Sequence, residues 1–277
     1  MRLKVLAILT AIAFASASAS AEDFFARKLE QKNGAILLIV DGMGASYLST
    51  YNYTPLDLSG KPLTKAATPN LSSIAGKGVL VQDVRALLPN TERGHSIIVT
   101  GYSNADLEML DYSDASIYDV LRSHGYLCIA VMEKGDFDNI IREQDVVIHD
   151  RSNSLDNPAA ELDKSVEVQP DIERFMLNLI EKLPSFVEGK NGIEKYSQYN
   201  RWAVDSANSI ASHMARSYPG KKFFLTVNAG GTDMVGHAYN AERYINVIER
   251  LDELLPALYE TCSRNNLSLI ITSDHGM

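Results

Sequence analysis

Short apolar runs rich in β-branched residues recur along this chain, and segments with helical spacing separate them. The strand candidates are Ala35 to Val40, Leu127 to Met132, Val146 to His149, Phe223 to Val227 and Leu267 to Ile271, with Val79 to Val84 a weaker one. Strands that alternate with helices cross over into a largely parallel sheet that carries helices on its faces. The pattern therefore predicts an α/β fold with a doubly wound, largely parallel sheet.

Helical periodicity fills the segments between these strands, at Ser116 to Ser123, Ala203 to Ser217 and Ala241 to Thr261. Pro256 inside the last segment predicts a kink or break, because proline lacks a backbone N–H. Residues 150–200 are polar and acidic, with a helical stretch from about Ile172 to Leu183. No flexible linker bounds them, so we interpret them as an insertion or cap over the sheet.

The first 21 residues have the pattern of a secretory signal peptide. A basic start at Met1 to Lys4 precedes an apolar stretch from Val5 to Phe14 and then small residues up to Ala21. The apolar stretch is shorter than the roughly 20 residues that a spanning helix needs. We therefore expect a mature domain of residues 22–277 without a membrane span, in a secreted, periplasmic or extracellular location.

Charge and cysteine content limit the remaining functions. The formal net charge of -9 argues against a nucleic-acid partner, whose phosphates would be repelled. Export permits a disulfide between Cys128 and Cys262, the two cysteines of the chain. However, Cys128 lies inside an apolar run, where cysteine is usually a small buried hydrophobe. We prefer that interpretation, and the sequence does not indicate an oligomeric state.

Three of the predicted strands run directly into turns that carry carboxylate or imidazole side chains, namely Asp41, then Asp233 with His237, then Asp274 with His275. Because the carboxyl ends of parallel strands meet at one edge of a sheet, we expect these groups to converge. Converging aspartates repel one another unless cations neutralise them. Each motif alone is a common turn, cap or helix-surface sequence, but the repetition predicts a metal site. Imidazoles among carboxylates fit zinc, manganese or iron better than calcium.

Thr91 is the candidate nucleophile. It precedes an apolar pattern with helical spacing, which would place it at a helix N-terminus, where free backbone N–H groups favour a bound phosphate. A threonine hydroxyl is too weak an acid to attack unaided, so metal coordination has to lower its pKa. Thr91 could instead be an ordinary helix cap, and the two roles are compatible.

These motifs resemble those of the alkaline phosphatase superfamily, which includes cofactor-independent phosphoglycerate mutases and nucleotide pyrophosphatase/phosphodiesterases. Asn90 to His95 is similar to the mutase nucleophile motif, with threonine in place of serine. Asp233 to His237 is similar to the mutase metal motif, and Thr272 to Met277 to its phosphodiesterase counterpart. Asp41 to Gly44 matches the first metal aspartate of the superfamily.

The resemblance implies a cofactor of two divalent metal ions, zinc or manganese. One ion would be held by Asp41, Thr91, Asp274 and His275, and the other by Asp233, His237 and one further histidine. In relatives that histidine lies beyond the Asp-His-Gly motif, so we expect the sequence to be C-terminally incomplete. His149 and His213 are the other candidates for this ligand.

The implied reaction is phosphoryl transfer from a small-molecule phosphate ester, with Asn90 and Arg93 as phosphate contacts beside the Thr91 nucleophile. Export separates the protein from glycolytic substrates, which favours a phosphatase or phosphodiesterase with a phosphothreonine intermediate over a phosphoglycerate mutase-like phosphotransferase. A sulfatase is disfavoured, because neither cysteine lies in a nucleophile motif. A non-catalytic metal-binding remnant of the fold is the alternative from a different class.

Overall fold

The computed structural model describes residues 32–57, 59–82, 84–135, 138–151 and 157–277. The predicted signal peptide lies outside these residues, so its assignment stays a prediction. Within the described ranges, no helix has the length and apolar character to span a membrane.

A six-stranded sheet forms the centre of the described chain. Its strands are β1 (Gly34–Val40), β2 (Leu127–Met132), β3 (Val146–Asp150), β4 (Ala160–Lys164), β5 (Phe223–Ala229) and β6 (Leu267–Thr272). Their spatial order is β4-β3-β2-β5-β1-β6, and every neighbouring pair is parallel except β3 and β4. The predicted α/β fold with a largely parallel sheet is confirmed.

Helices connect the strands and cover both faces of the sheet. They are α1 (Pro69–Ala75), α2 (Thr91–Thr100), α3 (Ile117–Ser123), α4 (Asp138–Arg142), α5 (Pro170–Val187), α6 (Gly192–Ser217), α7 (Gly231–Ala238), α8 (Ala241–Asp252) and α9 (Leu255–Arg264), with 3-10 turns at Ala45–Tyr47 and Leu107–Asp111. The predicted break near Pro256 is confirmed, because α8 and α9 are separate helices. Pro256 lies in the first turn of α9, where its missing N–H costs no helical hydrogen bond.

The β1 strand shows how the sheet divides the core into two layers. Ile36 and Leu38 belong to the apolar cluster that also contains side chains of α5, α6, α8 and α9. Leu37 and Ile39 point to the opposite face and belong to the cluster formed with α2, α3 and α4. Successive strand residues face opposite sides, so a strand covered on both faces needs an unbroken apolar run. This requirement explains why the central strands could be predicted.

Two strand predictions differ from the structure. The described residues of the segment Val79 to Val84 form no strand, and the side chains of Val79 and Val84 are 69% and 70% exposed. High strand propensity yields a strand only where a neighbouring backbone accepts its hydrogen bonds, and the described part of this segment pairs with none. Conversely, β4 was not predicted, because this edge strand is polar. It lies within the 150–200 region and pairs with β3.

Both cysteines are free and buried, Cys128 in β2 and Cys262 in α9. Burial raises the pKa of each thiol to about 12, so both remain neutral near pH 7. Their interpretation as small buried hydrophobes is confirmed.

Candidate active site

The carboxyl ends of four adjacent parallel strands, β2, β5, β1 and β6, lie along one edge of the sheet. Asp41 directly follows β1, Asp274 and His275 follow β6, and Asp233 lies in the first turn of α7 after β5. All four side chains are buried. The crevice beyond the carboxyl ends of the strands is the usual ligand site of an open α/β sheet.

These side chains are close enough to share a cation. Asp41, Asp274 and His275 each offer a ligand atom within 4.8 Å of the others. His275 Nε2 lies 3.6 Å from Asp41 Oδ1 and 3.6 Å from Asp274 Oδ2. The same nitrogen lies 3.7 Å from Asp233 Oδ1. Carboxylates from three separate strand ends therefore surround one imidazole.

Two glycines allow the loops of the site to approach so closely. Gly42 has a φ of 67°, and a Cβ at this position would lie 2.8 Å from Asp233 Oδ1. A Cβ at Gly94 in α2 would lie 2.6 Å from the carbonyl oxygen of Asp274. Any larger residue would push α2 or the loop after β1 away from the carboxylates.

Thr91 is the first residue of α2, and its hydroxyl faces the carboxylate cluster. Its Oγ1 lies 3.3 Å from Asp41 Oδ1, to which it donates, and 3.2 Å from His275 Nε2. The helix cap is the preceding residue, Asn90, whose side-chain oxygen accepts the backbone N–H of Arg93 at 3.0 Å. Because Asn90 performs the capping, the Thr91 hydroxyl is left to the site.

Two further predicted residues lie at the margin of this cluster. His237 is on α7 one turn after Asp233, with Nε2 3.4 Å from Asp233 Oδ1, but its side chain is 67% exposed. The side chain of Arg93 makes no hydrogen bond or ion pair with the described residues, and it lies one half-turn after Thr91 in α2. Their proposed roles in metal and phosphate binding stay predictions.

The other two histidines considered for the second metal are engaged elsewhere. His149 Nε2 lies 2.9 Å from Asp163 Oδ2, so this imidazole pairs with a carboxylate of β4. His213 on α6 stacks on the ring of Phe175 on α5, with ring centroids 4.2 Å apart. Neither contact brings an imidazole to Asp233.

Lys134 is the principal site residue that the sequence analysis missed. It lies just beyond β2 and is buried, with Nζ 3.1 Å from Asp233 Oδ2 and 3.5 Å from Asp41 Oδ2. The same ammonium group lies 3.4 Å from Thr91 Oγ1. The available signal was its place beyond a buried strand, as for the aspartates, but a search for metal ligands does not select lysine.

His95 and Asn228 support the carboxylates from within the core. His95 Nδ1 lies 3.2 Å from Asp274 Oδ2 and 2.9 Å from the carbonyl oxygen of Thr91. Asn228 near the end of β5 donates its side-chain N–H to Asp41 Oδ2 at 3.1 Å. An asparagine in a largely apolar strand was a usable signal, because a buried amide requires hydrogen-bond partners.

The pKa values of Asp41 and Asp274 are shifted in opposite directions. Burial, followed by the nearby charge of Asp274, raises the pKa of Asp41 to about 7. Burial opposes ionisation of Asp274 as well, but the interaction with the neighbouring His95 imidazole lowers the pKa of Asp274 to about 2. The same pair raises the pKa of His95 against the effect of its burial. Without a metal, Asp274 therefore ionises readily, whereas burial and the charge of Asp274 oppose ionisation of Asp41.

The residues of the cluster fit a divalent metal ion. Asp233 Oδ1 is buried and accepts no hydrogen bond from any described residue. A cation would satisfy this oxygen and would also stabilise the ionised form of Asp41. Carboxylate oxygens, imidazole nitrogen and a hydroxyl form a donor set suited to zinc or manganese.

A protein-family profile described as the Metalloenzyme superfamily matches residues 33–277. The chain belongs to this alkaline phosphatase-like superfamily. Superfamily members bind divalent metals and transfer phosphoryl or sulfuryl groups.

Two curated members that resemble the chain are both named 2,3-bisphosphoglycerate-independent phosphoglycerate mutase. The protein from Gracilaria tenuistipitata var. liui is 40% identical over 53 residues, which cover 19% of this chain and 10% of that protein. The protein from Wolinella succinogenes is 36% identical over 74 residues, or 27% of this chain and 14% of that protein. The match thus spans a small part of the length of these superfamily members.

Two solved structures share the superfamily fold. The lipoteichoic acid synthase LtaP from Listeria monocytogenes aligns with a TM-score of 0.54 at 12% identity, covering 90% of this chain and 57% of LtaP. A sulfatase of glycosaminoglycan metabolism from Bacteroides thetaiotaomicron aligns with a TM-score of 0.59 at 18% identity, covering 89% of this chain and 63% of the sulfatase. Identities this low support the fold of the superfamily and leave its reaction open.

Proposed function

We propose that this chain is an exported, metal-dependent hydrolase that cleaves small phosphate esters through a phosphothreonine formed at Thr91. The position of the Thr91 hydroxyl carries the proposal. Its Oγ1 stands at the start of α2, within hydrogen-bond distance of Asp41, His275 and Lys134. The nucleophile, a proton acceptor and a positive charge therefore meet at one point.

Two divalent ions, zinc or manganese, fit this proposal. Asp41, Thr91, Asp274 and His275 would hold one ion, and Asp233 and His237 would contribute to the site of the other. When bound, such ions lower the pKa of a coordinated hydroxyl and neutralise charge on phosphate oxygens.

The residues of the chain orient the nucleophile and bind the phosphate. The first turn of α2 presents free backbone N–H groups and the positive end of the helix dipole, which favour a phosphate beside Thr91. The Lys134 ammonium group provides a second positive charge at the same place, and Arg93 is a proposed contact from the outer side of the turn. The cap formed by Asn90 fixes this turn.

The proposed reaction has two steps. Thr91 Oγ1 bonds to phosphorus while the bond from phosphorus to the ester oxygen breaks, and the alcohol leaves with a proton. Water then attacks phosphorus and the bond from phosphorus to Thr91 Oγ1 breaks, which regenerates the Thr91 hydroxyl. A monoester substrate thus yields inorganic phosphate, and a diester yields a phosphate monoester.

Substitution of the nucleophile tests the mechanism. We expect Thr91→Ala to lower kcat with aryl phosphate mono- and diesters by about 1,000-fold or more, because no other residue replaces a lost nucleophile. Thr100→Ala, at the other end of the same helix, is the matched control and should retain wild-type turnover. Undiminished, EDTA-sensitive turnover by Thr91→Ala would remove Thr91 from the mechanism.

A phosphoglycerate mutase-like phosphotransferase is the second candidate, because the curated relatives described above carry that name. Incubation with 3-phosphoglycerate separates the two reactions, since a mutase yields 2-phosphoglycerate and a hydrolase yields inorganic phosphate. A sulfate ester belongs in the same assay, because one structural neighbour is a sulfatase.

The non-catalytic alternative makes a different prediction. A remnant of the fold would retain metal without turning over any ester. Metal analysis of the purified chain, together with the ester panel, distinguishes this outcome from an active enzyme with two metal equivalents. N-terminal sequencing of the exported protein would test the predicted cleavage after Ala21.

A further inference from the structure

A tyrosine outside the predicted ligand set holds the loop that carries Asp41. The hydroxyl of Tyr244 on α8 donates to the carbonyl oxygen of Gly42 at 2.5 Å and accepts the N–H of Gly44 at 2.9 Å. Tyr244 is 2% exposed, so water cannot readily replace either hydrogen bond.

The two hydrogen bonds fix the backbone on both sides of Met43. From the other side, the N–H of Gly42 donates to Asp274 Oδ1 at 3.0 Å, and the N–H of Met43 donates to a serine hydroxyl of the loop after β6 at 3.0 Å. The three consecutive N–H groups of residues 42–44 are thus all bound. The loop between β1 and α1 is clamped between the Tyr244 hydroxyl and the Asp274 loop.

The hydroxyl group, rather than the ring, makes both hydrogen bonds. Burial raises the pKa of Tyr244, so the hydroxyl keeps its proton and can donate and accept at once. The ring packs edge-on against Tyr47, with centroids 4.9 Å apart and planes at 74°. Phenylalanine at position 244 would keep this packing and lose only the clamp.

We propose that Tyr244 is a positioning residue of the metal centre, whose hydroxyl holds the 41–44 loop so that Asp41 and Asp274 can bind the same ion. The inference rests on the metal-dependent function proposed above. Groups that orient metal ligands typically change metal affinity by about 10- to 100-fold when they are removed. Tyr244 touches no ligand directly, so its loss should weaken binding without deleting a ligand.

The test compares Tyr244→Phe with Tyr47→Phe. The control removes a hydroxyl from the ring that packs against Tyr244, and the Tyr47 hydroxyl makes no hydrogen bond within the described residues. For each EDTA-treated protein, dissociation constants for Zn²⁺ and Mn²⁺ are measured by competition with a metal-binding dye, and circular dichroism checks folding. We expect a rise of about 10- to 100-fold for Tyr244→Phe and less than about twofold for Tyr47→Phe.

Turnover provides a second measurement that a general loss of stability would not reproduce. Tyr244→Phe should need more metal for half-maximal activity, and its kcat at saturating metal should return close to the wild-type value. Equal metal affinity in Tyr244→Phe and wild type overturns the proposal, as does equal weakening in both variants.

The proposed function can fail separately. A wild-type chain that binds Zn²⁺ or Mn²⁺ but hydrolyses no phosphate ester would end the hydrolase proposal, and the dye measurement would still decide the role of Tyr244. A wild-type chain that binds neither ion would overturn both.

Discussion

Raising the pH from about 5.5 to about 8 should destabilise the metal-free protein, because Asp41 must then ionise inside the carboxylate cluster. Burial and the charge of Asp274 raise the pKa of Asp41 from 3.8 to about 7. The unfolded chain releases this proton near pH 3.8, so between these values the folded state binds more protons than the unfolded state. The stabilisation that comes from a raised pKa is complete below 3.8 and disappears as the pH rises through 7.

The size of the loss follows from the two pKa values of Asp41. With a pKa of 3.8 in the unfolded chain and about 7 in the folded protein, Asp41 should lower the free energy of unfolding by about 2 kcal/mol between about pH 5.5 and about pH 8. Asp274 has the opposite sign, but its pKa near 2 confines its effect to more acidic solutions. The raised pKa values of His95 and Glu133 act in the same direction as Asp41.

Urea unfolding of the EDTA-treated protein at the two pH values measures this loss. Asp41→Asn keeps the shape of the side chain but cannot ionise. Between about pH 5.5 and about pH 8, the free energy of unfolding of this variant should therefore fall by about 2 kcal/mol less than that of the wild type. Asp111→Asn is the control, because this carboxylate is largely exposed and should leave the wild-type slope unchanged. An equal change in the free energy of unfolding for Asp41→Asn and wild type, or a wild type that gains stability with rising pH, would refute the reasoning.

Two more substitutions test other parts of the site. Lys134→Met should lower kcat/KM for aryl phosphates by about 100-fold or more, because the ammonium group lies 3.4 Å from Thr91 Oγ1. The metal content should not change, since lysine is not a metal ligand here. Kinetics and metal analysis of the same preparation test this, and a loss of bound metal would contradict it. Gly94→Ala should destabilise the fold by about 1–3 kcal/mol, because its Cβ would meet the Asp274 carbonyl oxygen at 2.6 Å. Gly76→Ala, whose nearest neighbour would be at 3.5 Å, is its control in thermal unfolding, and equal melting temperatures would contradict the steric argument.

The sequence predicted the strands best where the sheet is covered on both faces. Leu127–Met132 was predicted with its observed bounds, and β1, β3, β5 and β6 each agree within two residues. Such strands need unbroken apolar runs, and a run is a local property of the sequence. The edge strand β4 and the exposed segment from Val79 depend on whether a pairing partner is present, and no local pattern reports that.

The same distinction applies to the site. Parallel strands bring their carboxyl ends to one edge, so the convergence of Asp41, Asp233 and Asp274 could be expected from topology alone. The hydrogen bond between the Gly42 N–H and Asp274 joins residues 232 positions apart, and that between Tyr244 and Gly42 joins residues 202 apart. Contacts of this kind depend on how far loops and helices approach one another, which spacing along the chain does not encode.

The carboxylate cluster is also where the chain departs from the rules that govern the rest of its core. Asp41, Asp233 and Asp274 are all buried, and in the metal-free fold burial opposes ionisation of Asp41. Lys134 reaches Asp233 Oδ2, and Asn228 donates to Asp41 Oδ2. In contrast, Asp233 Oδ1 and Asp274 Oδ2 accept no hydrogen bond from any described residue, although the His95 imidazole lies 3.2 Å from Asp274 Oδ2. A purely structural core would gain stability by replacing these aspartates with apolar residues. A cluster of buried carboxylates with two oxygens that lack a hydrogen bond from the described residues is the arrangement expected of a site whose stability is completed by bound cations.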